Sequence, residues 1–148
     1  MYEEKLSFCV NLSATYWSRK PQFSIWLDDR VIQQSEILGP EVQAIHFDRI
    51  VSQGPHTLKI RLENKSDDDT VLENNKVVKD MLLNIEDVIV DDISLGTLLW
   101  SAEYILDKPQ KYQGKTIKHL DGCVNLGWNG TYVLKFNSPY YLWLVGKF

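Results

Sequence analysis

Oxygen-bearing side chains are concentrated in one segment of the sequence, between residues 64 and 80. Carboxylate and amide oxygens gathered on a loop between two strands are what Ca²⁺ requires, because this ion takes about six to eight oxygen ligands from flexible backbone. The segment, called the acidic loop below, therefore indicates a candidate calcium site. Its candidate ligands are Asn64, Asp67, Asp69, Asn75 and Asp80, with Asn74 beside them.

A second interpretation of the acidic loop needs no metal. Asn and Asp are common in turns because their side chains hydrogen-bond to nearby backbone and tolerate left-handed conformations. The regular ligand spacing of an EF-hand is also missing from this segment. A solvated loop that merely turns the chain therefore stays open beside the calcium site.

Aromatic residues offer the other candidate chemistry. Flat aliphatic sugar faces pack on exposed Trp and Tyr rings, which combine a large apolar area with a polar tip. Four residues that flank or oppose core positions are the candidate sugar platforms: Trp17, Trp26, Trp100 and Tyr104. Three others could form a contact patch for a neighbouring protein, as clustered aromatics do at interfaces: Trp128, Tyr141 and Trp143. For all of these aromatic residues, burial in the hydrophobic core is the alternative interpretation.

Catalytic residue sets are not recognisable in the sequence. His46, His56 and His119 are scattered, and neither a Gly-x-Ser-x-Gly elbow nor a glycine-rich phosphate loop is present. Carboxylates do pair at Asp28-Asp29 and Asp91-Asp92, but neighbours in a strand point to opposite faces and do not converge on one bond. We therefore expect a binding or structural protein and not an enzyme.

Composition and charge further restrict the class of protein to which the chain can belong. With 148 residues, 44% hydrophobic and 24% charged, the chain fits one soluble domain, residues 1–148, and no apolar run approaches the ~20 residues of a membrane span. A net charge of -4 disfavours nucleic acid as a partner. Cys9 and Cys123 are expected to be thiols. The first residues lack a signal-peptide pattern, so synthesis in the cytoplasm is expected.

Apolar and polar side chains alternate with a period of two over most of the chain, which predicts strands with one buried face. Five short strands precede the acidic loop by this criterion. After the loop, Leu83 and Ile85 share one parity while Val88 and Val90 share the other. A β-bulge near Glu86-Asp87 is therefore predicted, since one extra residue returns both pairs to the same face.

The last third of the chain, residues 97–148, is rich in aromatic residues and carries its own turn signals. Asn129-Gly130 predicts a hairpin between a strand ending near Trp128 and one containing Tyr132. Asn137-Ser138-Pro139 predicts a further turn, and Pro109 with Gly114 an irregular excursion. We expect aromatic hairpins that belong to the same domain. The fold class predicted for the whole chain is an all-β antiparallel β-sandwich of jelly-roll type.

Two resemblances extend this interpretation. Gly54-Pro55-His56, the loop from Asn64, Asp80 and the stretch Leu83–Asp91 resemble the last strands of Ca²⁺-dependent xylan-binding carbohydrate-binding modules, over about residues 5 to 95. Lys79-Asp80-Met81 stands where that family has Asp-Arg-Asn. The resemblance implies a carbohydrate-binding-module-like sandwich with calcium as a cofactor.

The second resemblance covers nearly the whole chain. The stretches Glu73–Leu83, Leu126–Tyr132 and Phe136–Leu144 look like small uncharacterised proteins of marine tailed phages, including those of cyanobacteria. This likeness implies a virion component in an oligomeric assembly with other virion proteins, made in the host cytoplasm. The predicted function is a non-enzymatic accessory protein of a phage particle that contacts host surface glycan. The alternative is a purely structural tail, fibre, collar or capsid-decoration protein.

Overall fold

Strands dominate the structure, which is a computed structural model describing residues 2–147. In chain order they are β1 (Glu3–Thr15), β2 (Gln22–Leu27), β3 (Arg30–Glu36), β4 (Gln43–Ser52), β5 (Gly54–Leu62), β6 (Val71–Glu73), β7 (Lys76–Lys79), β8 (Leu82–Val90), β9 (Ile93–Ser94), β10 (Glu103–Tyr112), β11 (Lys115–Asp121), β12 (Asn125–Leu126) and β13 (Gly130–Ser138). Two 3₁₀ segments, Asp67–Asp69 and Gly96–Ser101, and one short α-helix, α1 (Tyr140–Val145), complete the described chain.

The strands form two main antiparallel sheets. The first sheet has the order β12-β8-β1-β4, with β9 also paired to β8. The second sheet has the order β11-β10-β13-β5-β2-β3, and β6 with β7 forms a separate small hairpin in the acidic loop. This arrangement confirms the predicted antiparallel β-sandwich.

Alternating apolar residues build the core between the two sheets. On β1 the residues Leu6, Phe8, Val10 and Leu12 are at most 2% exposed, while the residues between them point away from the core. Side chains of this size each contribute about 1.5–3 kcal/mol when fully buried. The facing layer comes from the second sheet: Phe23, Ile25, Leu58, Ile60, Leu62, Tyr132, Leu134 and Phe136.

The predicted bulge in β8 is confirmed. Asn11 pairs with Asp87 and the next residue, Leu12, pairs with Ile85, so Glu86 is the extra residue in β8. Because of this one-residue shift, Leu83, Ile85, Val88 and Val90 are all buried.

The prediction of a hairpin at Asn129-Gly130 is wrong. The short strand β12, which precedes it, pairs with β8 in the first sheet, whereas β13, which follows it, pairs with β10 and β5 in the second. The dipeptide therefore lies where the chain crosses between sheets. Glycine at position 130 allows close approach of two strands and not a tight turn, because a Cβ there would lie 2.4 Å from the Ile105 carbonyl oxygen of β10.

The C-terminal run was also expected to continue as a hairpin strand, and the structure corrects this too. Tyr140–Val145 is an α-helix that follows Pro139. The run is apolar at every position, so it satisfies a helical period as well as an alternating one. Tyr140 and Leu144, four positions apart, are the residues that α1 buries.

The irregular stretch predicted near Pro109 lies within the β10–β11 hairpin. Strands β10 and β11 pair around a turn at Gln113-Gly114, and their register slips between Ile105 and Gln110. Pro109, which has no N–H to donate to a ladder, lies in this slipped stretch. Cys9 and Cys123 are both free, as predicted.

Candidate functional site

The acidic loop begins at Asn64, shortly after the end of β5, and the Asn64 side chain fixes the start of the loop to the β1–β2 connection. Its Oδ1 accepts a hydrogen bond from the Gln22 N–H at 2.8 Å, and its Nδ2 donates to the Lys20 carbonyl at 3.0 Å. Both ends of the amide are therefore engaged by backbone groups. Asn75, at the tip of the β6–β7 hairpin, is exposed with a φ of 63°, as expected of a turn residue.

Asp69 is paired with an arginine. It is only 3% exposed, and its Oδ1 and Oδ2 accept hydrogen bonds from Arg19 Nε at 3.1 Å and Arg19 Nη2 at 2.7 Å. The Ser66 N–H adds a third bond to Oδ2 at 2.8 Å. The hydrogen bonds from Arg19 hold the pKa of this carboxyl below its usual value, against the opposing effect of burial.

Asp80 is paired with a lysine. Its Oδ1 lies 2.7 Å from Lys65 Nζ, and it also accepts hydrogen bonds from Thr70 Oγ1 at 2.7 Å and from the Met81 N–H at 2.8 Å. The Lys65 ammonium donates in addition to the Gly127 carbonyl oxygen. The Lys65 side chain is 9% exposed and that of Asp80 is 22% exposed, so this pair is largely withdrawn from water.

The predicted calcium ligands thus have different surroundings. Among the described residues, the carboxylates of Asp67, Asp69 and Asp80 do not form a group whose ligand atoms all lie within 4.8 Å of one another. Asp69 and Asp80 each contact a protein cation, and Asn64 is bound to backbone. The turn-forming interpretation holds for Asn75, and Asp67 is exposed.

A different cluster of possible metal ligands lies on the outer face of β10 and β11. Glu103, His119 and Asp121 place one ligand atom each within 4.8 Å of one another, and all three are exposed. Glu103 and Asp121 are direct cross-strand partners, and Ile105 pairs with His119. This cluster was not recognisable in the sequence, because its members come together only through the slipped register of the hairpin.

A groove of about 550 Å³ opens beside the acidic loop. It lies between the loop and the start of the β10–β11 hairpin, and we call it the loop groove. It is lined by Lys65, Ser66, Asp67, Thr70, Asp107, Lys108, Gln110, Trp128 and Asn129. One aromatic ring surrounded by hydroxyl, amide, ammonium and carboxylate groups can contact both the apolar face and the hydroxyls of a sugar.

Trp128 is held in the groove by a core tyrosine. The Tyr104 hydroxyl accepts a hydrogen bond from the Trp128 N–H at 3.0 Å and donates one to the Trp128 carbonyl oxygen. The ring of Trp128 meets that of Tyr112 edge-on, with centroids 6.4 Å apart. Burial raises the pKa of the Tyr104 hydroxyl well above its usual value, so it stays protonated and able to donate.

Asn129 joins the two sides of the groove. Its Oδ1 accepts a hydrogen bond from the Lys65 N–H at 2.7 Å, and its Nδ2 donates one to the Lys65 carbonyl at 2.8 Å. This pair of bonds resembles the backbone pairing between two β-strands. On the opposite wall, Arg61 forms an ion pair with Asp107 at 2.8 Å. The walls of the groove are therefore built from bonded, preorganised groups.

The four predicted sugar platforms lie in different parts of the molecule. Trp17 is 46% exposed and donates from Nε1 to the Asp69 carbonyl at 3.0 Å, with Lys79 Nζ 4.8 Å from its ring centroid. Trp26 on β2 is half-buried and donates to Ser24. Trp100, 59% exposed, lines a separate cleft against β8. Tyr104 is fully buried, so its ring presents no face to a sugar, and its hydroxyl hydrogen-bonds to the Trp128 backbone.

The three predicted interface residues are also separated. Trp128 lines the loop groove, Tyr141 on α1 is 66% exposed, and Trp143 is half-buried. The Trp143 ring packs against Tyr140, with centroids 5.6 Å apart, and against Phe136 at 6.4 Å. Only Tyr141 of these three offers most of its side chain to a neighbouring molecule.

No helix within residues 2–147 has the length and apolar character that crossing a bilayer requires.

Comparison with known proteins identifies the fold. No family model and no curated protein matches the sequence. The chain is similar in structure to vCBM60 in complex with galactobiose, with a TM-score of 0.55 and 9% identity over 86% of this chain and 96% of the other. It is also similar to the selenomethionine form of vCBM60, with a TM-score of 0.53, 11% identity and coverage of 87% and 89%. That second structure is described in connection with a circular permutation linking two families of calcium-dependent carbohydrate-binding modules. The protein therefore has the β-sandwich fold of these modules.

Proposed function

We propose that the protein is a non-catalytic carbohydrate-binding module that holds a glycan in the loop groove. The observation that carries this proposal is the groove itself, where the Trp128 ring lies among Asp67, Lys108, Gln110 and other polar groups. An aromatic surface for the sugar face, with polar groups in fixed positions around it, is the usual design of a site for a polar ligand. The shared fold with carbohydrate-binding modules supports the proposal.

The finer proposal concerns where the glycan is found. We propose that it belongs to a host cell surface and that the chain is an accessory protein of a tailed-phage particle. The sequence resemblance to phage-encoded proteins supports this setting. Binding to one surface polysaccharide and not to others would be its direct consequence.

The test of the proposed function is Trp128→Ala. Removing the ring should weaken binding of the wild-type ligand about 10- to 100-fold, because truncating a buried aromatic at a binding site typically has an effect of this size. Retention on immobilised polysaccharides, measured by affinity electrophoresis, gives the ratio. Circular dichroism checks that the fold persists.

Trp100→Ala is the matched control, since Trp100 is an exposed tryptophan that lines a different cleft. We expect its retention to equal that of the wild type. Equal retention by Trp128→Ala and wild type would remove the loop groove as the site. A wild-type protein that no polysaccharide retains would remove the proposed function.

A second candidate function is a purely structural role through protein contacts. Helix α1 favours it, because Tyr141, Leu142 and Val145 are 66%, 70% and 51% exposed on neighbouring turns. An exposed apolar patch of this kind is typical of protein interfaces. Under this hypothesis the groove would be incidental and α1 would carry the contact.

A further inference from the structure

We infer that the Lys65 ammonium acts as a built-in replacement for a metal ion, so that the acidic loop is held together without calcium. The inference concerns the loop itself and holds whether or not the groove binds a glycan. It explains why a segment so rich in oxygen ligands does not gather its carboxylates around a common point.

The ammonium makes the contacts that a bound cation would make. It joins the carboxylate of Asp80, within the same loop, to the carbonyl of Gly127, which lies 62 positions further along the chain than Lys65. Carboxylate and backbone carbonyl oxygens are ligand types that Ca²⁺ takes in proteins. Thr70 and the Met81 N–H complete the surroundings of the same Asp80 oxygen, at 2.7 and 2.8 Å. One lysine thus links the start of the loop, its end and the chain crossing before β13.

Burial makes this pairing specific to Lys65. The Lys65 side chain is 9% exposed, whereas Lys79 and Lys76 in the same loop are exposed. A withdrawn ammonium needs a nearby negative charge, and a withdrawn carboxylate needs a positive one, so each compensates the desolvation of the other. A divalent ion at Asp80 would have to displace this fixed charge or lie beside it, and Coulomb repulsion opposes both.

Asp69 is closed to a cation in the same way. Arg19 occupies both of its oxygens, and the hydrogen bonds lower the pKa of the carboxyl. The two least exposed carboxylates of the loop therefore each have a protein cation as partner. The loop is bound to the β1–β2 connection through Arg19 and to the β12–β13 crossing through Lys65.

The experiment measures thermal unfolding in EDTA and in millimolar Ca²⁺. All proteins carry Glu103→Gln and Asp121→Asn, so that the exposed cluster on β10 and β11 contributes no metal signal. In this parent protein we expect the same Tm in both solutions. Lys65→Met should lower the Tm in EDTA by about 5 °C, because it leaves the Asp80 carboxylate without its partner. Ca²⁺ should then raise the Tm of this variant, since the oxygens released by the lysine are free to bind it.

Lys79→Met is the matched control, because it removes an exposed ammonium from the same loop. It should behave as the parent does. A Ca²⁺-dependent rise in the Tm of the parent that Asp80→Asn abolishes would overturn the inference. A Lys65→Met protein that is destabilised yet indifferent to Ca²⁺ would reveal an ordinary ion pair and would overturn it too.

Calorimetric titration of the parent with CaCl₂ keeps the inference testable if Lys65→Met does not fold. The expected result is no heat of binding beyond dilution, and stoichiometric binding lost in Asp80→Asn contradicts it. Where polysaccharide retention is found, EDTA should leave it unchanged. Since thermal unfolding needs no glycan, a protein without retention refutes the proposed function and leaves the replacement of calcium by Lys65 intact.

Discussion

His56 is a histidine whose surroundings favour its charged form. Nδ1 donates to Asp28 Oδ2 at 2.8 Å and Nε2 donates to the Ser52 carbonyl at 2.6 Å, so both ring nitrogens carry protons. Burial lowers the pKa of His56, but the bonds to Asp28 and Ser52 raise it by more, and Glu4 adds to this effect. The ring also stacks on Phe136, with centroids 5.7 Å apart. The imidazolium thus fastens the β2–β3 turn to the β4–β5 connection.

Stability should therefore depend on pH through His56. A histidine whose pKa is raised by folding contributes stability that is fully present below its unfolded pKa of about 6.5 and is lost as the pH rises through the folded value. We expect the free energy of unfolding to fall from pH 6 towards pH 8 in the wild type, and to fall less in His56→Gln. Urea denaturation across this range provides the measurement.

The matched control for this prediction is His119→Gln, because His119 is exposed on β11. Its pH profile should follow the wild type. Parallel profiles for His56→Gln and wild type would show that the imidazolium contributes nothing to folding.

Single residues of the candidate site were only partly predictable from sequence. The oxygen-rich loop was recognisable, and Asp67, predicted as a calcium ligand, is exposed and lines the loop groove. The partner of Asp69 was not predictable, because Arg19 lies 50 positions before it and only the folded chain brings the two together. Tyr104 was predicted as a sugar platform but is fully buried, and this too was not readable from the sequence, since exposure of an aromatic ring depends on which strands flank it.

At the scale of elements, Gly130 determines how closely β10 and β13 approach. A Cβ at this position would lie 2.4 Å from the Ile105 carbonyl oxygen and 3.0 Å from the Leu106 Cα. Gly130→Ala should therefore lower the free energy of unfolding by about 2–3 kcal/mol, as overpacking does when backbone atoms must move. Chemical denaturation measures this change.

Gly39→Ala provides the comparison. Its Cβ would meet only the flexible end of Glu41 at 3.3 Å, so the change in stability should stay within about 0.5 kcal/mol. If both glycine variants unfolded alike, close approach between β10 and β13 would not be what Gly130 provides.

Strands were predictable where the alternation was strict, and the bulge in β8 could be located from the change of parity alone. The elements near the C-terminus were not predictable from the sequence, for two physical reasons. Asn-Gly favours a tight turn but does not decide whether the following strand joins the same sheet. The run from Tyr140 to Val145 is apolar throughout, so its sequence period does not distinguish a helix from a strand.

At the scale of the whole molecule, the second candidate function predicts association through α1. We expect the wild type to form oligomers in this case, and Leu142→Ser to weaken them by removing apolar area from the contact. Sedimentation velocity over a range of concentrations measures the effect.

Ile50→Ser is the control, since Ile50 on β4 is 67% exposed, close to the 70% of Leu142. A wild type that sediments as a monomer throughout, or an equal effect of both substitutions, would speak against α1 as the contact surface.

The position of β13 between β5 and β10 has a consequence for biosynthesis. A ribosome releases β1, β4 and β8 long before β13, so the first sheet can begin to form before β13 is made. Until then the edge of β5 that pairs with β13 stays unpaired. Contacts between distant parts of a chain form slowly, and an unpaired strand edge invites pairing with other molecules in the meantime. We therefore expect the yield of soluble protein in a cell to decrease as the time for which that edge stays unpaired during translation increases.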